Sequence, residues 1–320
     1  MFKKQVSELQ LPPQQLGLLR QAGYDTIDDL IAATPEQLAH DLDIPIEASQ
    51  SILFATQTQR APPLTQSAAT LLSQNLKQYT TYCQPLDALL NGGITPGSIL
   101  EISGPPGTAK EALAVNITRS FLEAEHEILF VDMQNMTPAA QLREVLRQYT
   151  DLPEDYGTRI SHFSIFSLPE FLVFLHQLPS YFPEHPKVGL LVINSLWFPF
   201  QASSNLPNWT RNALLLRVQE TLTKVGASTG VTVVVTTQLA TKLVKDDGTT
   251  ANFETGSKAI LVPQPGNTYL PSGKSFRVII VPHTRTTGVL RLLTAPMHVR
   301  GWNPTINKEE SYEMVEGIMQ

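Results

Sequence analysis

Ser98-Ile99-Leu100-Glu101-Ile102-Ser103, followed by Gly104-Pro105-Pro106-Gly107-Thr108-Ala109-Lys110-Glu111, is the stretch that decides the fold of this 320-residue chain. The first six residues form a short, mainly apolar run suited to a buried strand. A glycine- and proline-rich turn breaks it, and helical spacing resumes from Lys110 to about residue 125. Strand, loop and helix in that order are the setting in which a loop cradles phosphate. The first glycine turns the chain, backbone N–H groups ring a β-phosphate, a lysine reaches the outer phosphates, and a hydroxyl holds Mg²⁺.

Gly104 and Lys110 stand at the required spacing, whereas Ala109 replaces the glycine before the lysine and Glu111 the Ser or Thr after it. The alanine adds one methyl group where the backbone has need of glycine-like freedom. The glutamate removes the hydroxyl and sets an acid beside the phosphates. The helix dipole tolerates an acid at that first turn, so Glu111 would stabilise an empty loop. As a hard oxygen ligand it would alternatively hold Mg²⁺ itself. ATP is the cofactor such a loop would take, with Mg²⁺-dependent binding put in question by Glu111.

Two further positions bear on hydrolysis. The apolar run Leu190-Leu191-Val192-Ile193 ends in Asn194, where an aspartate would support Mg²⁺. After the run 128–131 the chain reads Asp132-Met133-Gln134-Asn135. An attacking water needs a carboxylate or Gln to position it, and Gln134 would orient water without accepting its proton. No catalytic residue is therefore expected intact, the degenerate positions being Glu111, Gln134 and Asn194.

Outward from the loop, strands are expected near 98–103, 128–132, 160–166, 189–194, 231–237, 276–281 and 288–294. Helices are expected between them, notably at 110–125, 137–149, 168–178 and 210–226. Apolar strands alternating with helices predict an α/β core whose mostly parallel sheet carries helices on both faces. The last two strands, split at Arg285-Thr286-Thr287-Gly288, read as an antiparallel hairpin at the sheet edge. This core is placed at 80–303, before an acidic tail at 304–320.

Residues 1–58 read as a small helical unit of helix-hairpin-helix type. Thr26 and Thr34 occupy N-cap positions, Pro35 follows at the first helical position, and Gly23 is placed to end a helix in a left-handed conformation. This unit is acidic, which favours a protein contact or a lid over a grip on DNA. The segment 59–79, containing Ala61-Pro62-Pro63, is expected to be a linker.

Composition narrows the classes further. A mean hydropathy of −0.06 and the lack of a long apolar run argue against a membrane span. The start, Met1-Phe2-Lys3-Lys4-Gln5-Val6, leads into no apolar segment of a secretory signal. Cys83 is the single cysteine, so no disulfide forms within the chain, and this argues against a cysteine-based zinc site. The net charge of −6 is uneven: residues 201–300 hold eleven Lys or Arg against four acids. That asymmetry fits a localised surface facing an anion, or an ordinary solvated surface.

At this point the residues resemble the eukaryotic recombinase paralogues of RecA type, the Rad51 group, and most of all its C-type branch. The resemblance covers roughly residues 10–302. It runs through Leu86-Asp87-Ala88-Leu89-Leu90-Asn91-Gly92-Gly93-Ile94, the phosphate loop, His185-Pro186-Lys187-Val188 and Phe198-Pro199-Phe200. It continues in the strand leading to Thr236-Thr237-Gln238, and in Leu261-Val262-Pro263 with Gly266. The resemblance implies a RecA-like core and a part in homologous recombination within heteromeric complexes. Other recombinase paralogues and the main recombinase would be partners, on single-stranded or branched DNA in the nucleus, although no import signal of the chain's own is visible.

Carried over by position, Gln238 would sense nucleotide beside the loop residues 104–111. DNA-facing loops would lie near 201–211 and 241–265, with Arg211, Lys242, Lys245 and Lys258 as phosphate contacts. Trp209 is the exposed ring expected to stack on bases, whereas Trp197 and Phe198 read better as core. The family's linker phenylalanine has no match, Leu64 or Gln66 standing there, which argues against self-polymerisation. The first expectation is thus a non-hydrolysing subunit of a recombination-mediator complex. The alternatives are a slow DNA-dependent ATPase, in which Glu111 or a partner supplies the missing groups, and a scaffold that binds neither nucleotide nor DNA.

Overall fold

The computed structural model describes residues 6, 11–58, 78–133, 135–203, 206–249, 251–252, 254–265, 269–271, 273–296, 308–315 and 318–320. The chain divides into two compact units, Met1–Asn75 and Leu76–Gln320.

Among the described residues of the first unit the helices are α1 (Pro13–Gln21), α2 (Ile27–Ala32), α3 (Pro35–Leu42) and α4 (Ile46–Thr58). Their starts are set by side-chain caps. Thr26 accepts from the Asp29 amide while Asp29 reaches back to the Thr26 amide, and Thr34 accepts from the Gln37 amide. Gly23 takes a φ of +86° in the turn after α1, which a side chain would resist. Leu19, Leu30, Leu38 and Ile52 are fully buried and form this unit's own core.

The described residues of the second unit are built on a ten-stranded sheet. In chain order its elements begin with α5 (Gln84–Leu89), β1 (Ile99–Gly104), α6 (Lys110–Glu123), β2 (Glu127–Asp132), α7 (Ala139–Leu146) and β3 (Ile160–Ser164). There follow α8 (Leu168–Glu184), β4 (Val188–Asn194), α9 (Phe198–Ala202), α10 (Asn208–Thr229), β5 (Thr232–Val244) and β6 (Lys258–Pro263). The unit closes with β7 (Ser275–Pro282), β8 (Thr287–Thr294), β9 (Lys308–Val315) and β10 (Ile318–Met319). The strand order is β10-β9-β8-β7-β1-β5-β4-β2-β3, and among the described residues β6 pairs only with β5.

From β7 through β3 every neighbouring pair is parallel, whereas β7–β8, β8–β9, β9–β10 and β5–β6 are antiparallel. The α/β class expected from the sequence is present, and so is the late antiparallel hairpin β7–β8, but not at the sheet edge, because β9 and β10 extend the sheet beyond β8. Alternation explains the burial of both sheet faces. Leu100, Ile102, Phe130, Leu190, Val192 and Val234 point into one core, against Leu113, Ile117 and Phe121 of α6. Ile99, Leu129, Val131, Leu191, Ile193, Val233 and Val235 point into the other, against α8 and α10.

Two segments extend beyond the expected strands. β5 runs on to Val244 and folds against β6 as a two-stranded arm, with Leu239 opposite Pro263 and Val244 opposite Lys258. The other is the segment read from the sequence as an acidic tail, in which β9 and β10 lie. Within β9, Tyr312 is buried while Glu309, Ser311, Glu313 and Val315 are exposed, the period-two pattern of a strand with one covered face.

Candidate nucleotide site and basic arm

β1 delivers Gly104 to the end of the sheet, and α6 starts at Lys110. Both glycines of the loop between them are required by geometry. A Cβ on Gly104 would meet Thr108 Oγ1 at 2.5 Å and Ile280 Cβ at 3.2 Å, while Gly107 has a φ of +81°. Ala109 lies at φ −75°, ψ 25°, in reach of any L-residue, so the extra methyl is absorbed without strain. The loop is braced internally: Thr108 Oγ1 donates to the Pro105 carbonyl at 2.8 Å.

Lys110 Nζ turns into the same loop. It donates to the Pro105 carbonyl at 3.0 Å and lies 3.7 Å from Glu111 Oε1. Only 3% of the Lys110 side chain is exposed. Burial holds this ammonium below its usual pKa, and the Glu111 carboxylate partly offsets that. The cradle therefore satisfies its own cation, with Pro106 and Gly107 exposed at its tip. Gln238 stands level with Gly104 in the β1–β5 register, and its carbonyl accepts from the Gln264 amide at 2.8 Å.

Asn194 ends β4 beside these strands and is buried. Its Oδ1 accepts from Thr236 Oγ1 at 2.5 Å, and its Nδ2 donates to Thr137 Oγ1 at 3.3 Å. Both ends of the amide are thus engaged within the fold. Asp132, at the end of β2, accepts from the backbone N–H groups of Met136 (3.3 Å) and Thr137 (2.9 Å), which shapes the loop after it. Gln134, singled out in the sequence, lies outside the described residues, as do Leu64 and Gln66. Among the described residues no group of three His, Cys, Asp or Glu side chains converges as a metal cage.

Sequence reading missed the polar network beneath the loop. Glu101, fully buried in β1, pairs with Arg277 of β7 and accepts from Ser103 Oγ and Thr237 Oγ1, each at 3.0 Å. Single opposite charges inside two apolar strand segments were the available signal. A buried charge without a partner is too costly to persist.

The basic candidates fall in two places. Arg211 lies in the first turn of α10, its guanidinium 5.7 Å from the Trp197 ring centroid and 3.4 Å from Asn208 Oδ1. Trp197 stacks on Phe200, while Trp209 is 75% exposed. Lys242, Lys245 and Lys258 are exposed on the β5–β6 arm. Lys258 opposes Val244, so Lys242 and Lys258 share one face as diagonal neighbours, about 7–8 Å apart. Lys245 begins the arm's turn, where Gly248 N–H donates to its carbonyl.

Acids accompany these lysines: Asp246 accepts from Ser257 Oγ, and Asp247 from Thr249. Arg277 is neutralised by Glu101 and Arg291 by Glu309. The excess of basic residues in 201–300 is therefore spread over several surfaces and partly cancelled.

A cavity of about 340 Å³ opens beside the loop. It runs from Ala109 and Glu111 along Ala112, Val115 and Asn116 of α6, and is bounded by Met136, Thr137, Gln141 and Ile318 among others.

Known proteins resemble this chain in sequence. The family model for Rad51 matches residues 73–266. A DNA repair protein RAD51 homolog 3 from Dictyostelium discoideum is 24% identical over 213 residues, covering 59% of this chain and 53% of that protein. The RAD51 homolog 3 of Cricetulus griseus is 24% identical over 312 residues, covering 84% and 81%. The DNA repair and recombination protein RadA of Aeropyrum pernix is 35% identical over 104 residues, covering 31% and 33%. The chain thus spans about half the length of the first of these relatives.

Proposed function

Because this chain belongs to the Rad51 family, we propose that it acts in DNA repair by homologous recombination as a paralogue subunit that holds ATP and hydrolyses little or none of it. It assists recombinase loading on single-stranded DNA within a heteromeric nuclear complex. One observation carries the reading: a loop able to hold phosphate survives while the groups for turnover do not. Lys110 is positioned in a cradle formed by Gly104 and Gly107, yet Glu111 stands where a magnesium hydroxyl belongs. Asn194 spends both ends of its amide on Thr236 and Thr137.

The relatives' names, DNA repair and recombination proteins, support the process. The exposed lysines of the β5–β6 arm and the exposed Trp209 support contact with a single strand through phosphate and base stacking. Support for a protein partner comes from β3, which ends the sheet and, among the described strands, pairs only with β2. Phe163 of this edge strand is 43% exposed, and Phe166 just after it (51%) and Val173 of α8 (57%) are exposed apolar side chains as well.

Phosphate release from ATP, measured with and without single-stranded DNA, tests the proposal. Background turnover insensitive to Lys110→Ala is expected; turnover abolished by Lys110→Ala refutes the non-hydrolysing reading. Fluorescence anisotropy with a labelled single strand tests the arm. Lys242→Ala with Lys245→Ala should weaken binding and flatten the salt dependence, by about 0.7 in slope for each phosphate no longer neutralised. Unchanged affinity removes the arm from the DNA surface.

A further inference from the structure

The cavity beside the phosphate loop is closed on one side by the chain's own C-terminal strand, and we propose that Ile318 and Met319 form the wall against which the nucleoside end of a bound nucleotide packs. The inference rests on the reading of Gly104 through Lys110 as a phosphate cradle.

The cavity begins at Ala109 and Glu111, within the first turn after the loop, and continues along Ala112, Val115 and Asn116. Those three residues lie on one face of α6, three and four positions apart. At 1.5 Å of rise per residue, Asn116 lies about 9 Å along the axis from Lys110. A ligand with its phosphates on the loop therefore projects its base and sugar into this space. The lining suits that end of the molecule: Asn116, Gln141 and Gln148 carry amide donors and acceptors for a base edge, and Val115, Met136, Val145 and Tyr149 offer apolar surface. A volume of about 340 Å³ falls in the range of small-molecule sites.

β10 supplies the remaining side. Ile318 pairs with Val315 and Met319 with Met314, and the Gln320 and Glu313 backbones exchange hydrogen bonds of 2.8 and 2.7 Å. The hairpin is held in place through β9. Lys308 Nζ donates to the Ala88 carbonyl at 2.7 Å, and Arg291 pairs with Glu309 at 2.7 Å.

Met319 is 3% exposed and forms the partition between this cavity and a second one lined by Thr80, Tyr82, Gln84 and Asp87. A flexible thioether in a partition can repack against a flat ring. Ile318 is 46% exposed and also lines the nucleotide-side cavity. Since the wall belongs to the same chain, this side of the site needs no second subunit to close it.

Calorimetry on the full chain with two ligands separates the contributions: ATP with Mg²⁺ reports loop plus cavity, and inorganic tripolyphosphate reports the loop alone. Ile318→Ser, at a half-exposed position that the fold tolerates, should weaken ATP about fivefold and leave tripolyphosphate unchanged. Met319→Ala should do the same more strongly, with retained tripolyphosphate binding showing that the variant is folded. ATP affinity unaltered in both variants overturns the wall and leaves the phosphate cradle standing. Binding of neither ligand by the unaltered chain overturns the cradle and the wall together.

Discussion

Replacing Arg277 by methionine should destabilise the core by about 3–5 kcal/mol, because it strands a carboxylate in the middle of the sheet. Glu101 is fully buried and Arg277 only 4% exposed, so water cannot take the place of the guanidinium. The two serve adjacent strands, Glu101 lying opposite Arg277 in the parallel β1–β7 register. Ser103 and Thr237 would still donate to the carboxylate, which places the loss toward about 3 kcal/mol. At about 2–4 °C per kcal/mol for a unit of this size, the melting temperature should fall by at least about 6 °C.

Urea unfolding followed by circular dichroism measures this, and a double-mutant cycle with Glu101→Leu gives the sharper test. A buried pair replaced by two apolar side chains is often close to neutral. The double variant should therefore be more stable than Arg277→Met alone. A loss below about 1 kcal/mol for Arg277→Met would refute the reasoning. So would a double variant as unstable as the sum of the two single ones, since that would mean no coupling.

Three further outcomes are expected. Asn194→Asp restores the acid of the family pattern but loses the donor to Thr137 in a buried site; it should cost about 1–3 kcal/mol by urea midpoint without raising phosphate release, and increased turnover at unchanged stability would contradict this. Burial pushes the Cys83 thiol up to about 11. Its reaction with a disulfide reagent at pH 8 should thus run about 100-fold slower folded than in urea, and equal rates would place it at the surface. Burial, then the hydrogen bond to Glu123, pushes the Tyr82 phenol up to about 12, against the opposing effect of Arg119. Its folded pKa exceeds the unfolded value, so its contribution is complete below about pH 10 and lost as pH rises toward 12. Urea midpoints of Tyr82→Phe and the unaltered chain should accordingly converge between pH 10 and 12, and a constant gap would count against the assignment.

Much of the core was legible because its signals are local. Apolar runs ending at Asp132, Asn194 and Thr237, with helical spacing between them, give β2, β4, β5 and their helices from neighbouring residues alone. The arm β5–β6 was not legible: Leu239-Ala240-Thr241-Lys242 has no strong strand signature, and its pairing with 260–263 depends on a partner some twenty residues away. The α9 helix is only five residues long, too short for periodicity to register.

The sequence by itself determined the phosphate loop, its lysine and the substitutions at Glu111, Gln134 and Asn194, because a contiguous motif depends on spacing along the chain. Tertiary structure alone decided what those residues face. Lys110 turns into its own loop, Asn194 is tied to Thr137 and Thr236, Glu101 meets Arg277 from 176 positions away, and Met319 returns to wall the cavity beside Glu111. Such contacts are set by strand order and packing, and burial makes each polar group among them depend on a partner that sequence distance conceals.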